Sequence, residues 1–266
     1  MVAVNEQRLI RGDGTLESRW LPWLRSIEVA TASVEMLVSC GSRLVVIAPH
    51  PDDEVLACGG LMAMHRARNG DIAIIAVTDG EASHAGSPLW NAQTLAATRT
   101  AEAVEGLNQL GLNDVPVTRL EIPDGLVKRH VLRLALRLQA LLQPTDVVVT
   151  TWRLDGHPDH DATGFAASLA CANVGCHLIE APVWMWHWAA PGDTRVPWRR
   201  LRRLPLTPHV RDRKLTALFE HASQLDEAGH ARGAILGAAI VQRVNRLEEY
   251  FFTGREQLHE TQRRTL

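Results

Sequence analysis

The sequence predicts an α/β fold in which helices cover both faces of a mostly parallel sheet. Short apolar runs alternate with longer helix-like segments through the middle of the 266-residue chain. Most of these runs are continuous rather than alternating, as in strands buried on both faces. We therefore expect one Rossmann-like domain over 1–266, with a core at 41–225, a helical extension at 1–40 and, at 226–266, an irregular tail packed on that core.

Five strands and four helices are predicted between residues 44 and 183 of this core, and the elements on either side of that stretch are less regular. Three of the helices stop at residues that end helices: the first at Asn69-Gly70, the second at Gly111 and the third before Pro144. Parallel strands need such crossover helices, so the alternation itself indicates parallel pairing. The predicted strands are 44–48, 72–78, 117–122, 147–151 and 177–183, and the predicted helices are 54–69, 92–110, 126–143 and 158–173.

The flanking regions are less regular. One or two helices are expected over 15–40, an edge strand over 201–206, and two further helices over 210–224 and 234–247. In residues 182–188 the side chains repeat with a period of two, with tryptophan at every second position from Trp184 on, and this pattern predicts a strand. Tryptophans are concentrated here, and three interpretations stay open: rings packed under the tail, a platform for sugar rings, or an interface between subunits. These residues are Trp184, Trp186, Trp188 and Trp198.

Composition argues against several classes of function. The formal net charge of −2 gives no bulk attraction to nucleic acid or an anionic membrane. No apolar run reaches the roughly 20 residues needed to span a bilayer, and no signal-peptide pattern opens the chain. The four cysteines form no Cys-x-x-Cys pattern and lie in apolar contexts, so we expect buried thiols of a reducing compartment. We expect a cytoplasmic protein that acts on a small molecule, with homo-oligomer formation left open.

The densest chemical signal is Pro-His-Pro-Asp-Asp-Glu at 49–54, directly after the first predicted strand. It places the imidazole of His50 close in sequence to the carboxylates of Asp52, Asp53 and Glu54. So much like charge at a strand end calls for a cation to neutralise it. Two adjacent aspartates, one binding a metal and the other handling a proton, are what a metal-dependent hydrolase needs. Glu54 begins a helix, where the helix dipole favours a structural role.

A second motif, His-Pro-Asp-His at 157–160, follows the fourth predicted strand. Proline favours the first turn of a helix, so His157 would cap that helix and His160 would lie on the same face. In the strand order 3-2-1-4-5-6, common among doubly wound sheets, strands one and four are neighbours and both motifs open at the same edge. The sequence therefore predicts that His50 and Asp53 share a cavity with His160.

The two motifs resemble the signatures of the LmbE-like, or PIG-L, family of zinc-dependent N-acetylglucosaminyl deacetylases. The resemblance extends from about residue 43 to about residue 224, and it includes Thr-Asp-Gly-Glu at 78–81, Lys214, and His-Ala-Ser-Gln at 221–224. A site of two imidazoles and one carboxylate suits zinc, although iron, cobalt or manganese could also bind. The resemblance implies that the metal ligands are His50, Asp53 and His160.

The resemblance also implies the catalytic residues. Asp52 would be the general base that takes a proton from water and returns it to the leaving amine. His157 would stabilise the oxyanion or act as the acid. A protonated His157 needs a carboxylate beside it, and either Asp155 or Asp159 could serve.

Two residues are candidates for substrate contact. By resemblance, Arg99 would meet substrate hydroxyls or orient the site, but it could equally form an exposed ion pair with Glu102, one turn along its helix. Asp124 follows a strand directly and lies at the predicted mouth, together with Asp79 and Glu81.

The resemblance implies hydrolysis of the N-acetyl group of an amino sugar or glycan conjugate, which releases acetate and a free amine. Two alternatives stay open. One is an amidase that acts on a larger sugar conjugate through the same site. The other is a non-catalytic Rossmann-like binding module whose acidic motif holds a structural metal.

Overall fold

The computed structural model describes residues 8–226 and 234–254, and the strands found there form one eight-stranded sheet. The strands are β1 (Ala30–Thr31), β2 (Leu44–Ala48), β3 (Ile72–Ala76), β4 (Val117–Arg119), β5 (Val147–Thr151), β6 (His177–Ala181), β7 (Leu201–Pro205) and β8 (Glu248–Phe252). The helices are α1 (Glu17–Ser26), α2 (Val34–Leu37), α3 (Asp53–Arg66), α4 (Ala92–Gln109), α5 (Val131–Leu141), α6 (Pro158–Val174), α7 (Met185–Trp188), α8 (Pro208–Phe219), α9 (Ala222–Leu225) and α10 (Ala238–Val244).

The order across the sheet is β1-β7-β8-β6-β5-β2-β3-β4. The run from β4 through β3, β2 and β5 to β6 is parallel, whereas β8 pairs antiparallel with both β6 and β7. The central strand β2 lies between β3 and β5, with Val46 opposite both Ile74 and Val149. The predicted α/β class with a mostly parallel sheet is confirmed, and the five predicted core strands follow the order 3-2-1-4-5.

Helices cover both faces because residues of the central strands alternate between two cores. On β2, Leu44 and Val46 join the core that includes α3 and α8, whereas Val45 and Ile47 join the core that includes α5 and α6. Every residue of β2 and of β5 is buried, which explains why β2 is a continuous apolar run and β5 begins with three valines. Each such aliphatic side chain contributes roughly 1.5–3 kcal/mol on burial, so these strands firmly anchor the loops that follow them.

The strand predicted for residues 182–188 is wrong, because the structure has a bend there followed by the helical turn α7. The Asp155 carboxylate accepts the backbone N–H groups of residues 183, 184 and 185 at 2.9–3.0 Å and curls the chain. Donors engaged in this way cannot join a β-ladder. Of the tryptophans, Trp186 is buried in a third core, against Trp20 of α1 and Tyr250 of β8, with ring centroids 5.1 and 5.2 Å away.

Other boundaries also differ from the prediction. The region 15–40 contains α1 and α2 but also β1, and 210–224 is divided between α8 and α9. The strand predicted at 201–206 is present as β7, although it lies inside the sheet between β1 and β8. Strand β8 follows α10 and was not predicted. Parts of the predicted tail, 227–233 and 255–266, lie outside the described residues.

None of the helices in the described ranges is both long enough and apolar enough to cross a lipid bilayer.

Candidate active site

The two motifs lie side by side at the carboxyl edge of the sheet. His50 lies in the loop after β2, and His160 lies in the first turn of α6, which follows β5. Because β2 and β5 are adjacent parallel strands, their carboxyl ends meet. The ring centroids of His50 and His160 are 5.3 Å apart, and the ring of His157 lies 4.9 Å from each of them. The residues that the sequence assigns to one site therefore come together.

Asp53 lies between His50 and His160. Its Oδ2 atom is 3.1 Å from Nδ1 of His50 and 3.1 Å from Nε2 of His160. The same oxygen accepts the backbone N–H of His50 at 3.0 Å. Asp53 is 2% exposed and His160 is 1% exposed, so these donor atoms face one another away from bulk water.

Carboxylates hold the outer ring nitrogens of both histidines. Oδ2 of Asp155 lies 2.9 Å from Nδ1 of His160. On His50, Nε2 lies 3.2 Å from Oδ1 of Asp124 and 3.4 Å from Oδ2 of Asp159. Outer carboxylates of this kind fix the tautomer and the orientation of imidazoles that bind metals.

The surroundings of the two imidazoles favour positive charge. Burial alone would lower the pKa of His50, but three neighbouring carboxylates raise it well above its usual value. Burial likewise opposes the rise in the pKa of His160 to about 9, which Asp53 and a second aspartate cause. Burial would raise the pKa of Asp53, yet its histidine neighbours hold that pKa far below the usual value. A divalent cation supplies the same positive charge while the imidazoles bind it in their neutral form.

The donor set fits a tetrahedral divalent metal. Two imidazole nitrogens and one carboxylate oxygen are a common zinc set in catalytic sites, with a fourth position left for water or substrate. Bonds of about 2.0–2.2 Å separate tetrahedral ligand atoms by roughly 3.4 Å. The two 3.1 Å separations around Asp53 are close to this value. A nitrogen of His157 also lies within 4.8 Å of nitrogens of His50 and His160.

Asp52 is adjacent to this group but faces a different partner. Its carboxylate accepts a hydrogen bond from Nη2 of Arg99 at 3.0 Å. Burial raises the pKa of Asp52 to about 7, although Arg99 opposes the rise. The φ angle of Asp52 is 147°, which side chains rarely adopt, and such backbone strain is concentrated at functional sites. A carboxyl with this pKa can both accept and release a proton near neutral pH.

Arg99 is buried in the wall of the site, and the exposed ion pair considered for it is wrong. Its guanidinium also donates to the carbonyls of Pro51 at 3.2 Å and Gly80 at 3.0 Å. A Cβ atom on Gly80 would lie 2.2 Å from Nη1 of Arg99, so this approach requires glycine. Glu102 instead accepts the backbone N–H and the hydroxyl of Ser223. Arg99 therefore orients a carboxylate inside the site.

His157 caps α6 as predicted, but the carboxylates expected beside it lie elsewhere. Asp155 contacts His160, and Asp159 contacts His50. Nδ1 of His157 accepts the backbone N–H of Asp159 at 3.3 Å, which leaves the ring proton on Nε2. Burial, together with the neighbouring histidines, lowers the pKa of His157 to about 2. The ring is therefore neutral, in contrast to the protonated ring that the sequence suggested.

Asp124 lies at the mouth as expected, where it joins neighbouring loops. Its Oδ2 accepts the backbone N–H of Ala82 at 2.9 Å, and its own N–H donates to Glu81 at 2.8 Å. Because its other oxygen faces His50, the carboxylate is engaged on the protein side. Contact between Asp124 and a sugar hydroxyl stays a prediction.

Comparison with known proteins agrees with these motifs. Residues 45–171 match the family model described as PIG-L: GlcNAc-PI de-N-acetylase. The chain is 29% identical over 141 residues to a probable N-acetyl-alpha-D-glucosaminyl L-malate deacetylase 2 of Bacillus anthracis, covering 50% of this chain and 60% of that one. It is 26% identical over 179 residues to a 1D-myo-inositol 2-acetamido-2-deoxy-alpha-D-glucopyranoside deacetylase of Mycolicibacterium gilvum, covering 57% of this chain and 60% of that one. The chain thus spans 60% of the length of each of these curated relatives.

Solved structures share the fold. A deacetylase from the biosynthesis pathway of teicoplanin superimposes with a TM-score of 0.62 at 18% identity, over 79% of this chain and 97% of that one. The N,N'-diacetylchitobiose deacetylase from Pyrococcus horikoshii superimposes with a TM-score of 0.51 at 22% identity, over 79% and 80% of the two chains. At such identities the likeness is one of fold, because one fold hosts many activities.

Proposed function

Because residues 45–171 match the PIG-L family model, we propose that this chain is a hydrolase of that family that removes the N-acetyl group from an amino-sugar conjugate. Acetate and a free amine are the products. The two curated relatives are named as deacetylases of an N-acetyl-glucosaminyl and of an acetamido-deoxy-glucopyranoside compound. One observation carries the proposal: Oδ2 of Asp53 lies 3.1 Å from an imidazole nitrogen of each motif.

The proposed metal ligands are His50 Nδ1, Asp53 Oδ2 and His160 Nε2, with Zn²⁺ as the first choice and another divalent ion as the alternative. A divalent ion held there supplies Lewis-acid polarisation of the amide carbonyl and acidifies water. The chain's own contribution is to fix these donors through outer carboxylates. Asp155 holds His160, and Asp124 and Asp159 hold His50.

Asp52 is the general base in this proposal. It takes a proton from the attacking water and returns it to the amide nitrogen, so that the bond between carbon and nitrogen breaks and the free amine leaves. Its carboxylate lies near the proposed metal ligands, because the charges of Asp53, His50 and His160 all act on its pKa. The hydrogen bond from Arg99 at 3.0 Å keeps that carboxylate oriented.

His157 stabilises the negative charge that develops on the carbonyl oxygen. Because its Nδ1 accepts a backbone N–H, its Nε2–H is free to donate to that oxygen. A donor placed in advance costs no reorganisation when the charge develops. Arg99 and Asp124 orient Asp52 and His50 in this proposal, and contact of either with the sugar stays a prediction.

Acetate release tests this function. Purified protein loaded with one equivalent of Zn²⁺ is incubated with N-acetylglucosamine and with its malate and inositol conjugates. Acetate and free amine should appear in equal amounts, disappear on chelation and return when Zn²⁺ is restored. Asp114→Asn is a matched control that should leave acetate release unchanged, because Asp114 pairs with Arg66 at the far end of α3. If the zinc-loaded protein releases acetate from none of these compounds, the proposed substrate class is wrong.

The two alternatives give different outcomes in the same assay. An amidase for larger sugar conjugates would leave the simple acetamides intact but would cleave a larger acyl chain, still with dependence on Asp52. A binding module with a structural metal would retain Zn²⁺ and release nothing from any amide.

We also propose a reducing, cytoplasmic location. All four cysteines are free thiols in the structure, and Cys40 is exposed. Unpaired thiols are typical of compartments in which disulfides do not persist.

A further inference from the structure

Helix α3 carries two of the proposed site residues at its start, and it is broken in the middle. Cys58 has φ −154° and ψ 25°, far from helical values. In a continuous helix the N–H groups of Gly60 and Leu61 would donate to the carbonyls of Leu56 and Ala57. A break here leaves buried backbone groups that need other partners.

A single buried ion pair supplies those partners. Glu249 of β8 accepts the N–H groups of Gly60 at 2.7 Å and Leu61 at 2.8 Å. Lys214 of α8 donates to the carbonyl of Leu56 at 3.2 Å and to Glu249 at 2.6 Å. The carboxylate thus meets the amino end of the second helical piece, and the ammonium meets the carboxyl end of the first. Both placements suit the helix dipole.

Two glycines make room for this pair. A Cβ atom on Gly59 would lie 3.2 Å from Cγ of Lys214. A Cβ atom on Gly60 would lie 3.0 Å from Cδ of Glu249 and 2.6 Å from a methyl group of Leu206. A side chain at position 60 would therefore displace the pair or its neighbours, and one at position 59 would crowd it.

We propose that Lys214 and Glu249 are positioning residues for the metal-binding segment. The first piece of α3, at about 53–57, is a single turn, and so short a helix is not stable by itself. Its carboxyl end is fixed by Lys214, and its start carries Asp53. The pair therefore sets where Asp52 and Asp53 stand relative to the histidines of α6. This inference rests on the proposed metal site but not on the identity of the substrate.

Metal affinity distinguishes positioning from simple stabilisation. The variants are Glu249→Gln and Lys214→Met, with Glu17→Gln as a matched control. Glu17 and Arg246 form another buried ion pair, between α1 and the residues after α10, with contacts of 2.6 and 2.8 Å. The dissociation constant for Zn²⁺ is measured by competition with a chromophoric chelator, and the urea midpoint of the metal-free protein is measured in parallel.

All three variants should lose unfolding stability to a similar degree. Only Glu249→Gln and Lys214→Met should weaken Zn²⁺ binding, by roughly 10- to 100-fold, the range seen when partners of metal ligands are removed. If their Zn²⁺ affinity equals that of Glu17→Gln, the inference is overturned.

A substitute variant and a separate measurement of acetate release cover the two ways in which this comparison could fail. If the charge variants do not fold, Gly59→Ala crowds Lys214 without removing a charge, and it should weaken Zn²⁺ binding measurably. Unchanged affinity in that variant would count against the proposal. If the wild type binds Zn²⁺ but releases no acetate, the proposed function fails while the affinity comparison among variants still decides this inference.

Discussion

Buried charge is handled in opposite ways on the two sides of the sheet. Around β2 and β5, the histidines and carboxylates of the two motifs converge on one point, and the carboxylates there keep the pKa of His50 and His160 high. Near β7 and β8, each buried carboxylate has a lysine or arginine partner from the chain itself, as in the ion pairs of Glu17 with Arg246 and of Glu249 with Lys214. The first arrangement favours an added cation, whereas in the second the chain supplies the cations through its own lysine and arginine side chains.

The contrast distinguishes residues that carry the proposed chemistry from residues that support the fold. Perturbed ionisable groups gathered at one point are typical of functional sites. Closed ion pairs are typical of structural elements, where removal of one partner leaves an uncompensated charge. Changes to the residues of the two motifs should therefore alter metal binding and turnover more than folding, and changes to the pair of Glu17 and Arg246 should do the reverse.

The largest effect is expected from His160→Ala. It removes one of the three proposed donors, so Zn²⁺ binding and acetate release should both be lost while the circular dichroism spectrum stays native. Zinc per chain after gel filtration checks this. Zinc retained at one equivalent would show that His160 is not a ligand.

Asp52→Asn should reduce turnover without removing the metal. The amide keeps the size of the side chain but cannot take a proton, and loss of a general base lowers kcat by roughly 10²- to 10⁴-fold. The measurement is kcat at saturating substrate, with the zinc content determined on the same sample. Unchanged kcat would remove Asp52 from the mechanism.

Asp155→Asn should have an intermediate effect, on metal affinity. Asp155 orients His160 and also holds the turn at 183–185. Loss of such a carboxylate lowers metal affinity by roughly 10- to 100-fold. Asp146→Asn is a matched control, because Asp146 is equally buried but pairs with Arg43 at the other end of the strands. Equal Zn²⁺ affinity in the two variants would contradict the positioning of His160.

Asp114→Asn should have the smallest effect. Asp114 pairs with Arg66 at the far end of α3, where the Asp114 side chain is 69% exposed and the Arg66 side chain 35% exposed. Exposed pairs contribute about 1 kcal/mol or less, so the urea midpoint should barely move and Zn²⁺ affinity should stay unchanged. A clear loss of affinity would mean that the whole of α3, rather than its first turn, governs the site.

The parallel part of the fold was predictable because local signals and tertiary structure agree there. The continuous apolar run of β2 and the three valines of β5 correspond to full burial, and the motifs after these strands meet because the strands are neighbours. The remainder depends on contacts that local patterns do not encode. The turn at 183–185 curls around a carboxylate 28–30 residues earlier in the chain, against its alternating pattern.

Local sequence patterns also could not predict every contact within the site. The positions of His50, Asp53 and His160 followed from motif and topology. Which carboxylate faces which imidazole did not, because Asp155 and Asp159 lie on either side of a helix cap and point in different directions. The ion pair between Lys214 and Glu249 joins residues that no spacing rule connects.

The most direct test of the central claim is a crystal of the zinc-loaded protein, measured on both sides of the zinc absorption edge. One anomalous peak per chain is expected, at about 2.0–2.2 Å from a ring nitrogen of His50, a carboxylate oxygen of Asp53 and a ring nitrogen of His160. A zinc peak held by other residues, with these three side chains not coordinating it, would contradict the proposed site.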